Sequence, residues 1–117
     1  MEYLVSVIIP TYNSAAFITD AIDSIIAQTY QNWELIIVND GSTDSIDLVV
    51  APYLKSDNRI KYVSKENGGL GSARNFGIKQ SKGVFILPLD ADDVFESSFI
   101  EKAVLSLKSN HDIKIVY

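Results

Sequence analysis

The chain has 117 residues, 47% of them apolar and 21% charged, with a net charge of −5 and no cysteine. That length suits one ordinary domain, spanning residues 1–117, and the balance excludes a disordered chain. The acidity excludes the basic face that a nucleic-acid backbone requires, and the missing thiols exclude disulfides and thiolate metal sites. The N-terminal MEYLVSVIIP has no basic leader, and its apolar run is too short for a signal peptide or a membrane span. We therefore expect a cytoplasmic location, with any membrane attachment left to a further segment.

Short apolar runs alternate with helical patterns along the chain. Leu4 to Ile9 is β-branched and ends at Pro10, the mark of a buried strand. Phe17, Ile18, Ala21, Ile22, Ile25 and Ile26 recur at helical spacing, with Asn13 or Ser14 available as cap. Leu35 to Val38 is a second strand, stopped by the turn signal Asn39-Asp40-Gly41-Ser42. Ile46, Val49, Val50 and Tyr53 predict a short helix that Pro52 ends or kinks. Ile60 to Val63 alternates as a strand near a sheet edge. Asn67-Gly68-Gly69 turns, and Leu70 to Ser81 reads as a helix closed by Gly83. Val84 to Leu89 is the fourth strand. Ser98 and Glu101 spell a capping box for a helix bearing Phe99, Ile100, Ala103, Val104 and Leu107, and Ile113 to Tyr117 begins a fifth strand.

This alternation predicts an α/β fold, a mostly parallel sheet with helices on both faces. In such sheets ligands bind beyond the carboxyl ends of the strands. Pro10 to Asn13, Asn39 to Asp44 and Asp90 to Asp93 all follow strands, so three loops distant in sequence share one edge.

Within LPLDADDVF, Asp90 and Asp92 lie two apart, which aims both carboxylates one way in an extended segment. Carboxylates are hard ligands suited to Mg²⁺ or Mn²⁺, and a cation with a diphosphate would answer their mutual repulsion. The plainer reading is that some of them cap a helix or face solvent. Asp40 could accept from a base or a ribose hydroxyl, or close an Asx-turn, while Asp44 reads as a helix cap. Among Lys61, Lys65, Arg74 and Lys79, Arg74 follows Gly68-Gly69-Leu70-Gly71, where a guanidinium meets phosphate or a base, or else makes a surface ion pair. Tyr12 could stack on a base or cover the sheet edge. Gly77 suggests close helix–sheet contact, Trp33 packing, and His111 a surface position. No dinucleotide fingerprint, P-loop, EF-hand or receiver-type acid pattern is spelled, and with one His zinc is not expected.

Taken together, VSVIIPTYN (5–13), ELIIVNDGSTD (34–44), ENGGLGSARNFGI (66–78) and VFILPLDADD (84–93) resemble the N-terminal half of family 2 glycosyltransferases, in that family's order. The resemblance implies a GT-A fold and inverting transfer of a sugar from a nucleoside-diphosphate donor, UDP-linked in the first instance, with Mg²⁺ or Mn²⁺. The acceptor would be a saccharide or lipid-linked hydroxyl. Carried over by motif, Thr11 and Tyr12 border the nucleotide, Asp40 bonds the base and Arg74 helps hold the nucleotide. Asp90 lies near the ribose and Asp92 on the metal. Asn39 stands where the family often has a second Asp. The family's catalytic base lies in its later half and is expected beyond residue 117. On this reading the chain is a truncated nucleotide-sugar-binding half, with self-association expected along the sheet edge by the fifth strand.

Overall fold

The computed structural model describes residues 3–108. Four strands, β1 (Val5–Thr11), β2 (Trp33–Asp40), β3 (Ile60–Lys65) and β4 (Phe85–Pro88), alternate with four helices, α1 (Ile18–Ile26), α2 (Ile46–Ser56), α3 (Leu70–Gln80) and α4 (Phe99–Leu107). The sheet is wholly parallel, in the order β3-β2-β1-β4. The α/β expectation and the edge position of the third strand hold. The expected fifth strand and His111 lie outside the described residues. No helix among the described residues is long and apolar enough to cross a membrane.

Alternation along the strands divides the core. Val5, Val7, Ile9, Leu35, Ile37, Phe85 and Leu87 pack with the apolar stripes of α1, α2 and α4. Ile8, Ile36, Val38 and Ile86 face the other way, onto α3 through Ala73, Phe76 and Ile78. The first two crossovers step outward from β1 to β3. The third returns over the opposite face to place β4 on β1's free side. The order therefore reverses between β1 and β4, where open parallel sheets form a ligand crevice.

Pro10 does not end β1, which runs on to Thr11 opposite Asn39. Pairing to β4 stops at Ile8, so the donor Pro10 lacks is needed on fewer sides. Nor does Pro52 end α2, which continues to Ser56. The carbonyl deprived of its donor is that of Leu48, which is 76% exposed, so water can replace it, while buried Ile46 and Val50 hold the helix to the sheet.

The expected caps are not the ones used. α1 starts at Ile18 with the Ser14 carbonyl accepting from Phe17 and Ile18 (2.9 and 3.0 Å), while the Asn13 side chain is taken by Thr43. Ser98 and Glu101 form no capping box: Ser98 Oγ donates to Glu96, and Glu101 accepts from Thr29. Buried Gln28, at the end of α1, does the work instead. Its Oε1 accepts the Ile100 N–H at 2.9 Å, and its Nε2 donates to the Glu96 carbonyl at 2.6 Å. Gly83 is not a helix closure either. α3 ends at Gln80 with Ser81 as its C-cap, and a Cβ on Gly83 would lie 2.6 Å from Ser6 N and 2.9 Å from the Leu4 carbonyl. The glycine is needed because β4 enters the sheet against backbone.

Gln28→Ala orphans the buried Ile100 N–H and takes one of its two donors from the Glu96 carbonyl, so it should cost about 1–3 kcal/mol in urea denaturation. Ser98→Ala should change stability by less than about 0.5 kcal/mol. The reverse ranking would restore the capping box.

Candidate functional site

Beyond the ends of β1 and β2 the two loops are stitched together. Asn13 N–H donates to Ser42 Oγ (3.0 Å), Thr43 N–H to Asn13 Oδ1 (2.8 Å), and Ala15 N–H to Asp44 Oδ2 (2.9 Å). Asp44 Oδ1 also accepts from Ile46 N–H at 3.3 Å, the helix-start role expected of it. Gly41, at φ +74°, brings its backbone against Asn67, where a Cβ would lie 2.8 Å from Asn67 N.

Asp40 reaches into this junction from the tip of β2. It is buried, and its turn is not its own: Asn39 Oδ1 accepts the Ser42 N–H at 2.9 Å. Asp40 Oδ1 accepts from Lys65 Nζ and Gly68 N–H, both at 3.0 Å, and Oδ2 accepts from Gly69 N–H at 3.0 Å. The carboxylate thereby caps the start of α3, where the helix dipole favours an anion. Burial pushes the Asp40 carboxyl up, but the Lys65 and glycine N–H bonds more than offset this, and the net displacement is below the ordinary range. Glu34, on the same strand near the sheet's other end, behaves alike. Burial raises it, while Ser6 Oγ, Lys61 Nζ and Lys82 N–H lower it further.

A carboxyl depressed in the fold contributes stability above its unfolded value of about 4 and loses it as pH falls through the folded value. The thermal midpoint should therefore fall steeply below about pH 4, and Asp40→Asn should flatten that slope. Tyr62, half-buried and donating to Asp47, is pushed up to about 12, so its contribution is complete below pH 10 and lost between 10 and 12.

The Asn at position 39 has a local cause. Tyr62 spends its proton on Asp47, so its oxygen needs a donor, and Asn39 Nδ2 supplies one at 2.9 Å. An aspartate there would offer an acceptor beside Asp47 and break the chain.

At the end of β4 the acids converge, though not through an extended segment. Asp93 N–H donates to the Asp90 carbonyl at 3.0 Å, closing a turn over buried Ala91. The turn gathers Asp93 with the expected pair, so that carboxylate oxygens of Asp90, Asp92 and Asp93 lie within 4.8 Å of one another. Three hard oxygen donors, with no His or Cys among them, fit Mg²⁺ or Mn²⁺ and not zinc. Arg74, from α3, donates from Nη2 to Asp90 Oδ1 at 3.1 Å, the ion-pair alternative of the sequence reading.

Between these two centres lies a cleft of about 250 Å³ lined by Thr11, Tyr12, Asp40, Asn67, Leu70 and Ala73. Tyr12 and Leu70 also line the adjoining hollow, which reaches Asp90 and Asp92. Five of the six expected residues, Thr11, Tyr12, Asp40, Asp90 and Asp92, thus border one continuous depression at the β1–β4 switch, while Arg74 lines a neighbouring hollow with Asp90 and Asp93. Two polar atoms beside these hollows bear on what they could hold. Thr11 Oγ1 and Arg74 Nε are buried without a hydrogen-bond partner among the described residues, an expensive state that a polar ligand would relieve. Trp33 Nε1 shares that state far from the cleft, under the Arg59 guanidinium 3.7 Å from its ring, and nothing in the structure explains it.

Lys65, Asn67 and Leu70 were not singled out by sequence reasoning as site residues. Their signal was position, immediately before and at the start of a helix that follows a strand.

The Glycosyl transferase family 2 model matches residues 6–116. An uncharacterized glycosyltransferase of Rickettsia typhi is 47% identical over 97% of this chain and 35% of its own length. Glycosyltransferase GlyG of Streptococcus pneumoniae is 39% identical over 86% of this chain and 34% of its own. The chain thus spans about a third of the length of these relatives. Among solved structures, S. aureus TarS 1–349 in complex with UDP superposes with a TM-score of 0.82 and 33% identity, over 92% of this chain and 32% of that one. A mannosyltransferase from Pyrobaculum calidifontis in complex with GDP-Man and Mn²⁺ gives 0.75 and 28%, over 81% of this chain and 29% of its own. With the parallel sheet, the switch-point cleft and the family match in agreement, this chain belongs to glycosyl transferase family 2 and has the GT-A fold.

Proposed function

We propose that this chain binds the nucleoside-diphosphate sugar, UDP-linked, for a metal-dependent, inverting glycosyl transfer. The observation that carries the reading is the acidic turn Asp90–Asp93 opening onto the same depression as a buried, unpartnered Thr11 hydroxyl. An acidic protein concentrates three carboxylates where a divalent cation and a diphosphate would balance them. TarS, complexed with UDP and with UDP-GlcNAc, and the mannosyltransferase, with GDP-Man and Mn²⁺, support the same assignment.

On this reading the base lies between Tyr12 and Leu70, with Asp40 accepting from its edge and Thr11 Oγ1 taking a further polar atom. Asp90, oriented by Arg74, faces the ribose. Asp92 holds the cation, with Asp93 beside it. Mg²⁺ or Mn²⁺, when bound, supplies charge to the departing diphosphate. Inversion requires the acceptor hydroxyl of a saccharide or lipid-linked acceptor to attack from the face opposite the diphosphate. A base must take its proton, and no residue of this chain is assigned that role.

Because the chain aligns with only about a third of its relatives, a second reading is kept, a nucleotide- and metal-binding module without turnover. Calorimetric titration of UDP with Mn²⁺, repeated in EDTA, tests what the two share. Binding lost in EDTA supports both, and no binding in either condition overturns both. Release of free sugar from UDP-GlcNAc by the chain then separates them.

A further inference from the structure

The base-facing carboxylate carries one more inference, which rests on the nucleotide reading above. We propose that Lys65, which lines neither the cleft nor its rim, is the positioning residue that makes this cleft choose its base, by holding Asp40 as a fixed, acceptor-only anion. Its ammonium sits 3.0 Å from Asp40 Oδ1, with the side chains only 17% and 4% exposed. It is held in turn by the Glu66 carbonyl.

The geometry leaves Asp40 little freedom. Oδ1 is filled by Lys65 and Gly68, and the main-chain carbonyl of Asp40 accepts from Asn67 Nδ2 at 3.0 Å. Oδ2 has one close partner, Gly69 N–H, with the Asn67 amide at a long 3.5 Å. A carboxylate oxygen accepts about two bonds, so Oδ2 retains capacity, and Asp40 lines the cleft. Charge there is set by one side chain. Thr11, Tyr12 and Pro10 from β1 and its loop, Asn67 before α3, and Leu70 and Ala73 from α3 bring none at neutral pH, so Lys65 from β3 is the countercharge.

An ionised carboxylate can only accept. Uracil presents N3–H to it and gains a charge-assisted bond. Cytosine presents a bare N3 lone pair at the same place, so two acceptors face each other with neither satisfied. A carboxyl free to protonate or swing aside would tolerate both. Guanine, with N1–H, obeys the same rule as uracil, which makes cytosine the diagnostic base.

The test is calorimetric titration of UDP and CDP, with Mn²⁺, into the unaltered chain, Lys65→Met and Lys65→Arg, with thermal melts on each. The unaltered chain should prefer UDP by about 30-fold or more, since sites built to pair a polar edge reject its mismatch strongly. Lys65→Met should weaken UDP about tenfold and shrink the preference below about fivefold, and Lys65→Arg should restore most of it. A merely structural lysine would weaken both nucleotides alike. An unchanged UDP:CDP ratio in a folded Lys65→Met overturns the proposal while the nucleotide reading stands. Equal affinity of the unaltered chain for UDP and CDP overturns it even where the Met variant does not fold. Failure of the unaltered chain to bind any nucleoside diphosphate overturns the nucleotide reading and this inference together.

Discussion

Asp92→Asn is expected to lower UDP affinity in Mn²⁺ by tenfold or more and to leave the affinity in EDTA unchanged. The substitution keeps the size and the hydrogen-bonding oxygen of the side chain but removes one charge from a group whose oxygens lie within 4.8 Å of each other. A hard cation bound through few protein carboxylates loses most when one becomes an amide. Stability should move the other way. Three like charges in one turn, with Arg74 on Asp90 as the partner seen, repel one another when no cation balances them. Removing one should leave the thermal midpoint unchanged or slightly higher. A turn whose acids served only as caps would show the opposite pair of results, lower stability and unaltered nucleotide binding.

The second large effect is expected at Gly77, inside α3. Helix propensity alone makes Gly→Ala favourable by about 1 kcal/mol. Here the new methyl would stand 2.5 Å from Ile8 Cγ2 and 3.0 Å from Val38 Cγ2. Both belong to β-branched residues in central strands, whose single preferred rotamers cannot swing away. The helix must lift instead, and overpacking of this kind costs about 1–3 kcal/mol. We expect Gly77→Ala to lose up to about 2 kcal/mol net, a fall of up to about 8 °C in midpoint. Nucleotide affinity should fall with it, because α3 carries Arg74 to Asp90 and presents Gly68 and Gly69 to Asp40. Gly71→Ala is the control. Nothing lies within 4 Å of its added methyl, so it should raise stability by about 0.5–1 kcal/mol. A stabilising Gly77→Ala would mean that α3 sits off the sheet.

Both expectations join a local rule legible in sequence to a contact that is not. The run ILPLDADD marked where carboxylates gather, and the strand-end rule marked where the loops meet. The turn that adds Asp93 depends on the Asp90 carbonyl finding the Asp93 N–H, a bond with no residue signature. The capping box failed for a related reason. Ser98 and Glu101 carry the right letters, but the end of α1 packs beside the start of α4, and a buried Gln28 with its donor and acceptor both used outcompetes a half-buried serine. Pro52 broke no helix because the apolar face of α2, not its hydrogen-bond ladder, holds it in place.

By itself the sequence determined the element order, the parallel sheet, the edge strand and the three loops that share one rim. These follow from periodicity and chain connectivity, which are local. The tertiary structure alone decided which side chain answers which. Lys65 rather than Lys61 meets Asp40, Arg74 meets Asp90, Asn39 serves Tyr62, and Gln28 caps a helix 72 residues away. Such pairings are set by register, by crossover side and by the need to satisfy each buried polar atom. Those conditions exist only once distant segments lie within 3 Å of each other.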